Sequence, residues 1–136
     1  IRSARSGATL VLPITVWGRE YIVPGKQSTS NGNSLSVGEI AVMASEPNTT
    51  IEITPSVVSR NLNRQPGVPF TVTLANPGDV YQLQFQDRQD ISGTVVRSIA
   101  SGGTGCKPIA VFSATTWSAF DCGTGASGGD NLYQQI

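Results

Sequence analysis

Histidine is absent from this chain, and with it go the usual general base near neutral pH, the commonest metal ligand and every Ser-His or Cys-His nucleophile pair. Charge is scarce too: charged residues make up 13%, against about 25% in an ordinary soluble domain. Nine Lys and Arg balance nine Asp and Glu, so no net field draws the chain to nucleic acid or to an anionic membrane surface. No apolar run approaches the roughly 18 residues of a membrane span, and no basic, apolar leader opens the sequence. The first residue is Ile, which reads as a processed product or an excised fragment. Cysteine occurs only at Cys106 and Cys122, too few for a four-thiolate zinc site. Two cysteines at this spacing suit one structural disulfide in an oxidising compartment, with two buried thiols as the alternative.

What the chain has is Gly, Ser, Thr and Asn in plenty, and 136 residues, enough for one domain with a real core. The surface is expected to be rich in hydroxyls and amides. Short alternating runs of Val, Ile, Thr, Phe and Tyr between Gly, Pro, Asn and Asp clusters predict strands nearly throughout. The runs are 8–16, broken at Pro13, then 18–23, 37–45, 50–56, 70–74, 81–85, 93–99, 107–116 and 131–136. Residues 24–36 read as an exposed loop. The segments 37–45 and 50–56 look like a hairpin, and Phe70-Val72-Leu74 with Tyr81-Leu83-Phe85, joined by Asn76-Pro77-Gly78-Asp79, looks like a clearer one. The fold class is all-β, an antiparallel β-sandwich of eight or nine short strands, with a barrel or propeller-like repeat unit as the alternative.

Without histidine, carboxylates are the remaining candidates for acid–base work. Asp87 with Asp90, or Asp121 with Asp130, has the residue types of a glycosidase pair. Turn capping accounts more simply for Asp79 and Asp90. Asp121 and Asp130 could offer oxygen ligands to calcium, but no loop motif supports it, and no cofactor is expected otherwise. Trp117, after Thr115-Thr116 and before a Gly-rich loop, is the better placed of the two tryptophans to stack on a sugar, and Trp17 the poorer. Tyr21, Phe70, Tyr81, Phe85 and Phe112 are expected in the core. Gly102–Gly105 and Gly123–Gly125 lack the Lys and helix of a phosphate cradle. Asn48-Thr49-Thr50 fits a glycosylation triplet and equally a turn entering a strand.

Five pieces carry a resemblance when taken in order: Leu12-Pro13 with Trp17-Gly18-Arg19-Glu20-Tyr21; Ala44-Ser45-Glu46 with Asn48-Thr49-Thr50-Ile51; Gly78-Asp79-Val80-Tyr81; Asp90-Ile91-Ser92-Gly93-Thr94; and Lys107-Pro108-Ile109-Ala110-Val111-Phe112-Ser113. Together they resemble the IgGFc-binding-protein type of domain found in mucin-associated animal proteins and in surface proteins of gliding, type IX-secreting bacteria. The resemblance implies a secreted, cell-surface β module without an active site. It transfers no ligand, immunoglobulin included. The cysteines depart from the family's placement, since Cys106 precedes Lys107 and Gly129 precedes Asp130-Asn131-Leu132.

In tandem members an Asp-x-Leu-x-x-Gln stretch runs into the Trp-Gly-x-Glu-Tyr segment, so residues 1–136 resemble one period of a repeat. These readings combine into a non-catalytic extracellular adhesion or structural module that assembles as a filament or surface array. Its partners are then copies of itself or neighbouring repeats, without nucleic acid or membrane insertion. The alternative is a carbohydrate-binding module with a glycan partner. On the first reading, segments 8–16 and 131–136 are expected as open edges for strand addition.

Overall fold

The computed structural model describes residues 7–29, 36–100, 105–120 and 128–136. Eight strands follow in chain order: β1 Glu20–Ile22, β2 Val37–Ala44, β3 Thr49–Thr54, β4 Phe70–Leu74, β5 Val80–Asp87, β6 Val95–Ile99, β7 Ile109–Phe120 and β8 Gly128–Gln135. They form two four-stranded antiparallel sheets, β1-β6-β3-β4 and β5-β2-β7-β8. Their apolar faces share one core, so the expected β-sandwich is the architecture, with no closed barrel.

Alternation along each strand builds that core. Ile40, Val42 and Ala44 of β2, Ile51 and Ile53 of β3, Leu83 and Phe85 of β5, Val96 of β6, and Ile109 and Val111 of β7 point inward and are buried. Tyr21 closes one flank from edge strand β1. Its hydroxyl donates to the Ile109 carbonyl at 2.8 Å and accepts the Gly18 amide at 2.6 Å, joining the two sheets.

Both expected hairpins are corrected. β2 pairs with β5 and β7, whereas β3 pairs with β4 and β6, so the 45–48 turn carries the chain from one sheet to the other. The link between β4 and β5 crosses in the same way, because β4 belongs to the first sheet and β5 to the second. The turn chemistry itself is as read: Asp79 Oδ2 accepts the Asn76 amide at 2.8 Å, and Gly78 holds φ +83°. The two crossings brace each other through Gly78 N–H to Ala44 C=O at 2.8 Å, Ala44 N–H to Asp79 C=O at 3.1 Å and Asn48 N–H to Ala75 C=O at 3.0 Å.

The expected strand at 8–16 is also corrected. Residues 7–13 are irregular and Ile14–Val16 form a 3-10 turn. Pro13 has no N–H for a ladder, while its carbonyl accepts the Val16 amide at 3.0 Å. This segment runs beside β8 through side chains: Gln135 N–H donates to Thr9 Oγ1 at 3.2 Å, and Leu12 N–H to Gln135 Oε1 at 2.7 Å. Leu10, Val11, Ile14 and Val16 are left exposed.

The hydroxyls do not all lie on the surface. Ser113, Thr115 and Ser118 of β7 are buried and donate to the carbonyls of Pro24, Lys26 and Gln27 at 2.7, 3.0 and 3.1 Å. This ladder pins residues 24–29, the first part of the segment expected as an exposed loop, against the inner side of β7. Ser28 there is buried and accepts the Arg88 amide.

Candidate functional site

Since Ile40, Val42, Ala44, Leu83, Phe85, Ile109 and Val111 face the core, alternation turns the intervening residues of the β5-β2-β7-β8 sheet outward. Register then fixes two outward rows. One runs Gln84, Glu39, Ala114, Tyr133, and the next Gln82, Ala41, Phe112, Gln135. No Lys or Arg occupies an outward position on these four strands.

The first row holds a fixed carboxylate. Gln82 Nε2 and Gln84 Nε2 both donate to Glu39 Oε2, at 2.8 and 3.2 Å. Two strands away, Tyr133 lies parallel to Phe112, with ring centroids 5.4 Å apart and planes within 7°. Phe112 is thereby buried without entering the central core, while Tyr133 stays 43% exposed. Burial, and next the Glu39 charge, push the Tyr133 phenol above its usual range, so it keeps its proton at neutral pH. Ala114, between the aromatic and the carboxylate in this row, is buried, and Ala41 in the next row is half-buried.

Trp117 joins the same face through a bulge. Register shifts between Thr115 and Ser118 while β8 continues unbroken. A side chain at Gly129 would meet the Trp117 ring at 2.2 Å, so the indole lies directly against this glycine. Gly129 and Tyr133 are four residues apart on one strand, which places the two aromatics on one face about 13 Å apart. Gly129 is the position that admits the indole.

A separate depression of about 210 Å³ lies where residues 24–26 pass β7 and β8. Its Ser113 and Thr115 hydroxyls are already donated to Pro24 and Lys26 carbonyls, so its polar lining is committed to the scaffold.

The other candidates fall to structural roles or lie elsewhere. Asp90 Oδ1 accepts the Ser92 hydroxyl at 2.7 Å and the Ser92 amide at 2.9 Å. The side-chain bond first, and then the backbone bond, lower its pKa, the opposite of what a general acid needs. Asp87 sits beside Arg88 at 3.8 Å. Asp130 Oδ1 accepts the Asn131 amide at 2.8 Å, and Asp121, its expected calcium partner, lies outside the described residues. Among the described residues no group of three His, Cys, Asp or Glu side chains is placed to hold a metal. Trp17 Nε1 donates to the Leu12 carbonyl at 3.0 Å and braces the N-terminal segment. Asn48 takes φ +52° in an exposed turn.

Cys106 is exposed and its expected partner Cys122 lies outside the described residues. The intervening β7 is extended from Ile109 to Phe120, about 36 Å at the usual strand rise. Three residues before it and two after reach back at most roughly 18 Å, whereas a disulfide needs Cα atoms within about 7 Å. This strand therefore opposes the Cys106–Cys122 bridge within one chain.

Tyr133 and Glu39 were not among the sequence candidates. Tyr133 sits in a short run, Asn131-Leu132-Tyr133-Gln134, with no motif around it. The signal was the alternation of 37–45, which turns Glu39 outward, but its partner across the sheet depends on strand order.

The fold is that of an all-β domain, a sandwich of two four-stranded antiparallel sheets. The family model for IgGFc binding protein matches residues 7–136, and the chain belongs to that family. Neither a curated protein nor a solved structure matches it. The family is one of extracellular, non-catalytic binding domains. Among the described residues no helix is long and apolar enough to cross a membrane.

Proposed function

We propose that the chain is a non-catalytic adhesion or structural module of an extracellular protein, joining copies of itself or neighbouring repeats of the same polypeptide through sheet edges. The observation that carries this reading is edge strand β4. Among the described residues Phe70–Leu74 pairs only with β3, and the strand is five residues long and free of charge. Such an edge lacks the lysines and inward charges that normally block strand addition. The exposed apolar side chains Leu10, Val11, Ile14 and Val16 add a second adhesive surface.

The carboxylates support the non-catalytic half of the reading. Asp79 and Asp90 cap turns, and Glu52 is paired with Arg97 at 2.7 Å on the other sheet. Light scattering and electron microscopy of concentrated protein test the assembly. Oligomers or filaments that dissolve in a Thr71→Lys/Thr73→Lys variant are expected. A uniform monomer at every concentration would overturn the reading.

A further inference from the structure

We propose that the outer face of the β5-β2-β7-β8 sheet binds a neutral oligosaccharide, with the Tyr133 ring as stacking platform and the Glu39 carboxylate, fixed by Gln82 and Gln84, as hydroxyl acceptor. This rests on the reading of the chain as a binding module and names a ligand class for it.

A single exposed tyrosine needs no ligand to explain it. Tyr133 differs in being immobilised: Phe112 takes one ring face at 5.4 Å and 7°, yet 43% of the residue remains open to solvent. A pyranose presents a flat patch of C–H groups, and a ring already held in place receives it with little further loss of side-chain freedom.

Sugar hydroxyls need acceptors and donors at fixed positions. Glu39 supplies one acceptor, because its Oε2 holds both glutamine amides while Oε1 takes no hydrogen bond from the described residues. The Gln82 and Gln84 amides add an oxygen acceptor each. Strand spacing puts Glu39 about 10 Å from Tyr133, two strands away, with only Ala114 between them in the row. Ala114 is itself buried, so the contacts to a sugar fall to the Tyr133 ring on one side and to the carboxylate with its two glutamines on the other.

Charge chooses the class. The outward positions carry a carboxylate and no cation, so sulfated and uronic-acid glycans are repelled and neutral ones accepted. Trp117 extends the site: its indole lies on Gly129, on the face of Tyr133 and about 13 Å along β8. Two aromatic surfaces at that spacing suit an oligosaccharide better than a monosaccharide.

Saturation-transfer NMR on the chain with cellotetraose, chitotetraose and mannotetraose, against a hyaluronan tetrasaccharide as the anionic probe, tests this. At least one neutral tetrasaccharide should bind. Amide shifts in the wild-type chain should centre on residues 39, 114 and 133. Tyr133→Ala should weaken that binding tenfold or more and Glu39→Gln several-fold, whereas Thr73→Ala, on the opposite sheet, should leave it unchanged. Absence of neutral-glycan binding at millimolar concentration, shifts centred elsewhere, full affinity in folded Tyr133→Ala, or binding of hyaluronan alone would each overturn the inference. Assembly without glycan binding sinks this inference and spares the assembly reading; glycan binding by a strict monomer does the reverse.

Discussion

Thr115 Oγ1 donates to the Lys26 carbonyl at 3.0 Å, binding the chain's twenties to a strand nearly ninety residues later. Thr115 is 2% exposed, so its hydroxyl is shielded from bulk water, and removing it deletes this link between β7 and Lys26. Thr115→Val keeps the shape and deletes the donor. It should cost about 1–3 kcal/mol. Hydrogen exchange should localise the loss, with the Thr29 amide, bonded to the Trp117 carbonyl at 3.1 Å, exchanging faster than the core of β2. Uniform acceleration across both sheets would show that the ladder is not a local clamp.

Leu83 has no exposed surface and belongs to the shared core. Leu83→Ala should lower stability by about 2–5 kcal/mol through lost burial and the cavity left behind. Asp87→Ala, four residues on at the end of the same strand, deletes only a partly exposed ion pair at 3.8 Å and should cost well under half as much. Denaturant midpoints of the two variants decide it, and equal midpoints would contradict the inward placement of Leu83.

Inward faces were legible where partners were not. The alternation of Phe70, Leu74, Tyr81, Leu83 and Phe85 gives the side each chain takes, because strand period alone fixes it. It is silent on whether Asn76–Asp79 folds β5 back beside β4 or carries it across to the other sheet, since the same Asp cap and positive-φ Gly serve both. The fold class and turn caps thus followed from local chemistry. The Glu39–Tyr133 row did not, because it joins residues more than ninety positions apart through two strand pairings. Buried hydroxyls such as Ser118 misled for a related reason: a serine reads as surface until a passing carbonyl, here that of Gln27 at 3.1 Å, is known to meet it.

Asp90 gives a pH dependence of definite sign. Its hydrogen bonds to the Ser92 hydroxyl and amide lower its folded pKa below the unfolded value of about 3.9. The stabilisation is therefore complete above that value and fades as pH falls through the folded pKa. Asp90→Asn should flatten that acid limb: the melting temperatures of variant and wild type should differ most near neutral pH and converge toward pH 2. A gap that stays constant across the range would remove Asp90 from the acid response.

The cysteines yield the last expectation. Counting two of them in an extracellular domain favours a bridge within the chain, but β7 stands extended between Cys106 and Cys122, and covalent reach falls short by more than 10 Å on the strand-rise estimate. Cys106 is moreover exposed, so its thiol is open to reagents and to other chains. Monomer purified without reductant should take up two equivalents of a thiol alkylating agent by intact mass. Any oxidised fraction should run as a larger, reducible species on a denaturing gel. A monomer two mass units light that resists alkylation until reduced would establish the intrachain bridge and show that β7 does not keep its full extended length in solution.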